Sequence, residues 1–257
     1  MSMDRRVSIV IVSHDLHEYL ERCIIQIEGN TERHLLEDIV IVDNGSQKKY
    51  RLEELRELTS FPVSLVRLLK NTSYSRANNR GVESARGYYI CFMNNDIEVL
   101  SGWLTPLYEI INGDEKIGAV GPKMIFPDGS IQFAGYEQDP KTGFQRHTFR
   151  DVPTLHTIPQ ANVAGPVSSL TGACFLVRHE DAHFDERYWY GCEDVDLCTH
   201  LKRKNKVIFY EPRSVVLHHE EKSRAAGMVP IDYERNRLTF KKKWGKDWEQ
   251  LLWNIVS

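Results

Sequence analysis

Four apolar runs separated by amphipathic segments constrain this chain more than any other feature. Val7-Ser-Ile-Val-Ile-Val12, Asp38-Ile-Val-Ile-Val42, Val63-Ser-Leu-Val-Arg-Leu68 and Tyr88 to Met93 are rich in β-branched and aromatic residues. The first is apolar on both faces, as a parallel strand covered on both sides must be. After it, Leu16, Leu20, Cys23, Ile24 and Ile27 recur at helical spacing, and Leu52, Leu55 and Leu58 do so after the second run. Residues 75 to 86 read as a third helix, stopped by Gly87. Such alternation predicts a parallel α/β sheet with right-handed crossovers.

In such sheets ligands bind beyond the carboxyl ends of the strands. Ser13-His14, Asp43-Asn44 and Asn94-Asn95-Asp96 all fall at that edge. Asn and Asp also close strands simply because their side chains bond to the backbone in turns. Three such clusters at one edge point to a cleft.

The usual nucleotide fingerprints are missing. No GxG occurs, which argues against a dinucleotide loop, and no GK[ST] occurs, so there is no P-loop. If phosphates bind here, a metal held by carboxylates is the natural alternative, and Asp96 is then a candidate ligand.

The second half is less regular. Gly118 to Val120 and Met124 to Phe133 read as strands joined by turns at Gly121-Pro122 and Asp128-Gly129. Residues 138 to 168 hold four prolines and little periodicity, which predicts a mobile loop. Leu170 to Val177 reads as a strand, Glu193 to Lys204 as a helix, Val207 to Tyr210 and Val215 to Leu217 as short strands, and 232 to 254 as helical. With no repeat or linker, one domain over 1–257 is expected. It divides into a nucleotide-binding half to about residue 100, an acceptor and catalytic half over about 101–223, and a C-terminal helical segment over 224–257.

Composition excludes several classes. A net charge of −3 gives no field favouring nucleic acid. No apolar run approaches the roughly 20 residues of a membrane span. The short apolar run after Arg5-Arg6 lacks the length and the cleavage site of a signal peptide. The five cysteines contain no CxxC pair, which indicates neither a disulfide framework nor a zinc site; reduced thiols fit a cytoplasmic location.

Taken in order, several motifs resemble one family. They are Ile-Val-Asp43-Asn-Gly-Ser, Lys70-Asn71 with Ala77-Asn78-Asn79-Arg-Gly81, Phe92-Met-Asn94-Asn95-Asp96 and Leu170-Thr-Gly172-Ala-Cys-Phe-Leu-Val. Phe184-Asp-Glu, Glu193-Asp194-Val-Asp-Leu-Cys and Val216-Leu-His218-His219-Glu-Glu-Lys-Ser223 complete the set. Over roughly residues 7 to 223 the chain resembles the family 2 glycosyltransferases, above all their rhamnosyltransferase-like branch.

The resemblance implies the α/β GT-A fold, with a mostly parallel central sheet flanked by helices and an irregular acceptor-binding second half. It also implies inverting transfer of a sugar from a nucleoside diphosphate donor, UDP- or dTDP-linked, to a glycan or lipid-linked glycan. A divalent metal, Mn²⁺ or Mg²⁺, accompanies the donor.

By the same resemblance Asp194 is the general base, and Glu193 beside it holds the acceptor. An acid in the first turn of a helix is also explained by the helix dipole. Asp43 accepts hydrogen bonds from the donor's base, although DNGS is a good turn sequence in itself. Ser13, Asn71, Arg76, Asn79, Asn94, Asn95 and Gly172 complete the donor site; a solvated face explains Arg76 equally well. Asn94-Asn95-Asp96 occupies the DxD position, with an uncharged amide replacing the first carboxylate. Asp96 and His218 are the metal ligands, and imidazole suits Mn²⁺ better than Mg²⁺. His219 points elsewhere. Trp189 and Tyr190 stack on a sugar or pack in the core. The 138–168 loop folds over the acceptor and excludes water.

Two other readings remain at this point. A sugar-nucleotide pyrophosphorylase would need a Gly-rich basic loop after the first strand, where this chain has Ser13-His14-Asp15. A non-catalytic sugar-nucleotide-binding or scaffold domain would keep the fold and lose the chemistry, and Asn94 supports it. The Lys- and Trp-bearing stretch from Phe240 to Trp253 reads as a packed terminal helix, or as a peripheral contact with an anionic membrane surface. Oligomeric state has no signal in the sequence.

Overall fold

The computed structural model describes residues 5–153, 158–220 and 232–256. The β-branched runs form strands β1 (Val7–Ser13), β2 (Leu36–Asp43) and β3 (Val63–Arg67), and the aromatic run forms β4 (Tyr89–Asn94). Helices α1 (His17–Asn30), α2 (Leu52–Glu57) and α3 (Tyr74–Val82) connect them. β1 pairs in parallel with both β2 and β4, and β2 with β3. Leu20, Cys23, Ile24 and Ile27 of α1 are buried, as their spacing requires. Gly45 makes the turn after β2 with φ +77°; a Cβ there would lie 2.3 Å from the Lys70 carbonyl carbon, so no other residue fits.

β5 (Ile97–Val99) and helix α4 (Leu104–Gly113) follow, then β6 (Ile117–Ile125) and β7 (Ile131–Phe133). The expected turn at Gly121-Pro122 does not form: β6 runs straight through it. Gly121 is needed there because a Cβ would come within 2.7 Å of Leu170, and Pro122 sits opposite the irregularity of the neighbouring strand between Glu211 and Val215. The Asp128-Gly129 turn does form, closed by Gly129 N–H to Phe126 O at 2.9 Å.

Much of the expected mobile loop has regular structure. β8 (Tyr136–Gln138) and β9 (Gln145–His147) form a hairpin, and β10 (Gly165–Pro166) joins the main sheet. The physical reason is aromatic: Phe144 is 3% exposed and stacks on Trp248, ring centroids 4.8 Å apart, while the Trp253 indole N–H donates to Gly143 O. β11 (Cys174–Arg178) begins later than expected, since residues 170–173 turn across the cleft. Helix α5 (Glu193–Arg203) leads to β12 (Val207–His218), one bulged strand where two short ones were expected. The C-terminal segment is helices α6 (Tyr233–Trp244) and α7 (Trp248–Trp253), broken at Gly245. The part of that segment before Asp232, and the Glu221-Lys-Ser223 end of the histidine motif, lie outside the described residues.

Among the described residues the main sheet runs β10-β12-β6-β11-β4-β1-β2-β3, with β5 and β7 pairing at one side. β11 is antiparallel to β4 and β6. It joins the parallel half to the second half and brings both to one edge. No helix of the described residues is long and apolar enough to cross a membrane.

Candidate active site

A cavity of about 420 Å³ opens at the carboxyl ends of β1, β2 and β4. From the parallel half it is lined by Asn71, Asn94, Asn95 and Asp96, and from the second half by Gly172, Glu193, Asp194 and His218. Four other residues named from sequence lie behind or outside it. Ser13 is buried and accepts from Asn95 Nδ2 at 2.8 Å, so it supports the loop. Asp43 is fully buried, ion-paired with Arg67, and accepts from the Ser46 N–H at 2.9 Å. Arg76 is exposed on α3. Asn79 is buried, its amide donating to Phe184 O and accepting from Phe184 N, both at 2.9 Å.

These contacts belong to a clamp. Tyr74 N–H donates to Trp189 O at 2.9 Å and Ser75 Oγ to Tyr188 O at 3.0 Å. With Asn79, they dock α3 of the parallel half onto the segment that carries the acidic pair. Gly191 (φ 90°) and Cys192 (φ 70°) then turn the chain sharply into α5. A non-glycine residue held in this region marks a position that the surroundings over-determine.

Asp194 Oδ2 accepts from the Gly172 N–H at 2.7 Å, and Oδ1 from the Val195 N–H at 2.8 Å. Burial raises its carboxyl above the usual range, while these N–H donors oppose the rise. Glu193 is 4% exposed and its Oε2 has no hydrogen-bond partner. Burial first, and the charge of Asp194 second, push the Glu193 carboxyl up to about 8. The two neighbouring acids therefore divide their roles: Glu193 keeps a proton and Asp194, with two backbone donors, carries the charge.

At the opposite wall His218 Nε2 lies 3.1 Å from Asp96 Oδ1. Its Nδ1 lies 2.7 Å from Gln132 Oε1, and Gln132 Nε2 reaches Glu220, itself paired with Arg150. This chain orients the amide so that His218 donates through Nδ1 and turns Nε2 toward Asp96. Asn94 Nδ2 lies 3.3 Å from that nitrogen. Burial works against the charge of Asp96, but His218, and His219 less directly, hold its carboxyl below the usual range. At 3.1 Å a proton on Nε2 bridges the pair, and a divalent cation can take that proton's place. Two donors at right angles on an octahedral ion with bonds of about 2.1 Å stand about 3.0 Å apart, so the pair fits a divalent metal. Among the described residues no third His, Cys, Asp or Glu converges there. A metal at this place would take its other ligands from diphosphate and water, as Mg²⁺ sites commonly do. His219 turns away to Glu98, 2.6 Å from its Nε2, as strand alternation requires.

Several cavity residues escaped the sequence reading. Gln132 and His147 come from short strands without a motif, and Tyr233 and Arg237 come from α6. The signal for Arg237 was its place in an otherwise aromatic helical stripe, Tyr233, Arg237, Phe240 and Trp244. Trp189, 45% exposed, lines the cavity with Tyr190 and does not pack into the core.

A mostly parallel sheet flanked by helices, joined through an antiparallel strand to a less regular second half, is the GT-A glycosyltransferase architecture. The GalNAc-T7 structure with UDP, GalNAc and Mn²⁺ superposes with a TM-score of 0.70 at 21% identity, over 83% of this chain and 43% of that one. The mannosyltransferase PcManGT from Pyrobaculum calidifontis, in complex with GDP-Man and Mn²⁺, gives 0.66 at 14% identity, over 96% and 68%. The chain belongs to glycosyl transferase family 2, whose profile matches residues 8–183. It is 29% identical over 248 residues to the O-antigen biosynthesis protein RfbC of Myxococcus xanthus, covering 89% of this chain and 18% of that protein. It is 25% identical over 248 residues to an N-acetylglucosaminyl-diphospho-decaprenol L-rhamnosyltransferase of Mycobacterium tuberculosis, covering 88% and 79%. A protein of Sinorhizobium fredii, y4gI, is 28% identical, and the chain spans 27% of its length.

Proposed function

We propose that the chain is an inverting glycosyltransferase. It moves a hexosyl or rhamnosyl group from a UDP- or dTDP-sugar to a hydroxyl of a glycan or lipid-linked glycan, in the synthesis of a polysaccharide or cell-surface glycan. One observation carries the reading: a carboxylate fixed by the Gly172 N–H shares a 420 Å³ cavity with the Asp96–His218 pair.

Asp194 takes the proton of the acceptor hydroxyl as that oxygen attacks the anomeric carbon opposite the leaving group; single displacement inverts the configuration. The Gly172 and Val195 N–H groups hold the carboxylate in place, so little reorganisation is needed. Glu193, protonated, donates to an oxygen of the acceptor. Trp189 and Tyr190 offer ring faces to a sugar. Asp96 and His218 would hold a divalent metal, which supplies charge neutralisation for the departing nucleoside diphosphate. The β8–β9 hairpin walls off water that would otherwise hydrolyse the donor. The imidazole of His218 suits Mn²⁺ better than Mg²⁺.

Support for the donor class is the family membership, and support for a glycan acceptor is the similarity to the O-antigen and rhamnosyltransferase proteins. The reaction is expected in the cytoplasm, where nucleotide sugars are made. Calorimetry with UDP, dTDP and GDP, with Mn²⁺, Mg²⁺ or chelator, tests it. Metal-dependent binding of one nucleotide, lost in Asp96→Ala, is expected. Binding that ignores both the metal and Asp96 would sink the reading.

A further inference from the structure

Arg237 lines the same cavity as Asp96 and Asp194, and among the described residues lining it no other lysine or arginine is found. One face of its guanidinium rests on the Phe144 ring, 5.5 Å from the centroid, and among the described residues no carboxylate pairs with it. Its charge is felt by the Asp139 carboxyl but is engaged in no close ion pair among the described residues, so an anionic ligand group in the cavity can take it up. Its helix is firmly placed. Asn236 Nδ2 donates to Tyr190 O at 2.6 Å, and Lys243 Nζ and Trp244 Nε1 donate to Asp196 at 2.5 and 2.8 Å. Phe144 is itself buried and stacked on Trp248, so it gives the guanidinium a fixed ring to rest against. The family match ends at residue 183, well before this helix.

We propose that Arg237 is a phosphate subsite: its planar fork binds a phosphate group in the cavity, bidentately. The proposal rests on the glycosyltransferase reading for its two sources. The phosphate belongs either to the departing nucleoside diphosphate or to a diphosphate-linked lipid acceptor. The charge-assisted fork is worth on the order of tenfold or more in affinity.

The experiment compares wild type, Arg237→Met and Arg237→Lys, each checked by thermal melting. The probes are UDP and dTDP, uridine and thymidine, and farnesyl diphosphate, each with Mn²⁺, by calorimetry or ligand-observed NMR. Arg237→Met should weaken the phosphate-bearing ligands on the order of tenfold or more and leave the nucleosides unchanged, with Arg237→Lys recovering part of the loss. A loss confined to UDP or dTDP assigns the subsite to the donor; one confined to farnesyl diphosphate assigns it to the acceptor. Unchanged phosphate binding in Arg237→Met overturns the subsite, and metal-dependent nucleotide binding by the wild type would leave the glycosyltransferase reading standing. Wild type that binds farnesyl diphosphate through Arg237 but no nucleotide keeps the subsite and removes the donor. Binding of none of the probes by wild type overturns both.

Discussion

Gln132 Oε1 lies 2.7 Å from His218 Nδ1, so a buried amide on β7 decides which nitrogen of the histidine faces Asp96. The Arg150–Glu220 pair holds the other end of that amide. Such partners of a metal-binding histidine change metal affinity about 10- to 100-fold when lost. Gln132→Met should therefore weaken Mn²⁺ binding in the presence of nucleotide by that factor, while Gln132→Glu, which keeps the acceptor, holds it close to wild type. Mn²⁺ titration followed by electron paramagnetic resonance, with nitrogen NMR of the His218 tautomer, checks this. Equal affinity and an unchanged tautomer in Gln132→Met would refute it.

Asp194 must be ionised to act as a base, and burial raises its carboxyl above the usual range. The sign follows: turnover should fall as pH drops through a value above that of an ordinary carboxylate, and stay level above it until another group titrates. Asp194→Asn should lower kcat by roughly 10²- to 10⁴-fold and leave nucleotide affinity near wild type. A pH–rate profile and a nucleotide titration on the same samples test both halves.

Asn79 satisfies both the N–H and the carbonyl of Phe184. Asn79→Ala should cost about 2 kcal/mol or more, because two buried backbone groups lose their partners. Its effect on stability should exceed its effect on nucleotide affinity. Chemical denaturation beside a nucleotide titration separates the roles; lost affinity at unchanged stability would return Asn79 to the donor site.

Lys243 joins Asp196, which is 2% exposed, to Asp185 on the neighbouring segment. Lys243→Met leaves the buried Asp196 carboxyl without its cation and should destabilise the fold on the order of 3 kcal/mol. Because the same helix carries Arg237, partial unfolding should expose α6 to protease before the parallel half. Limited proteolysis with mass spectrometry reads the order of cleavage.

The parallel half was legible because its central strands are buried on both faces, so local pattern and tertiary environment agree at Ile9, Ile11, Ile39 and Ile41. The polar ends of those strands followed from topology alone. The second half was harder. Gly121-Pro122 looks like a turn until Leu170 is seen to need the space, and the β8–β9 hairpin looks like loop until Trp248 covers Phe144. Helix α4, Leu104–Gly113, was not read from the sequence. In the site, the Asp96, Asp194 and His218 motifs were visible, but Gln132 and Arg237 act through residues far away in sequence. For Gln132 no local pattern carries that information; for Arg237 the only local trace is its place in the aromatic helical stripe.

The central claim is catalysis through Asp194 on a donor held at the Asp96–His218 wall. The most direct measurement is release of nucleoside diphosphate from a panel of UDP-, dTDP- and GDP-sugars with Mn²⁺, for wild type, Asp194→Asn and Asp96→Ala. The account predicts slow release from at least one sugar nucleotide by wild type, abolished by chelator and by Asp96→Ala. In Asp194→Asn release should fall steeply while nucleotide binding persists. Metal-dependent binding with no release from any donor, with or without glycan acceptors, would contradict it and leave a sugar-nucleotide-binding domain of the same fold.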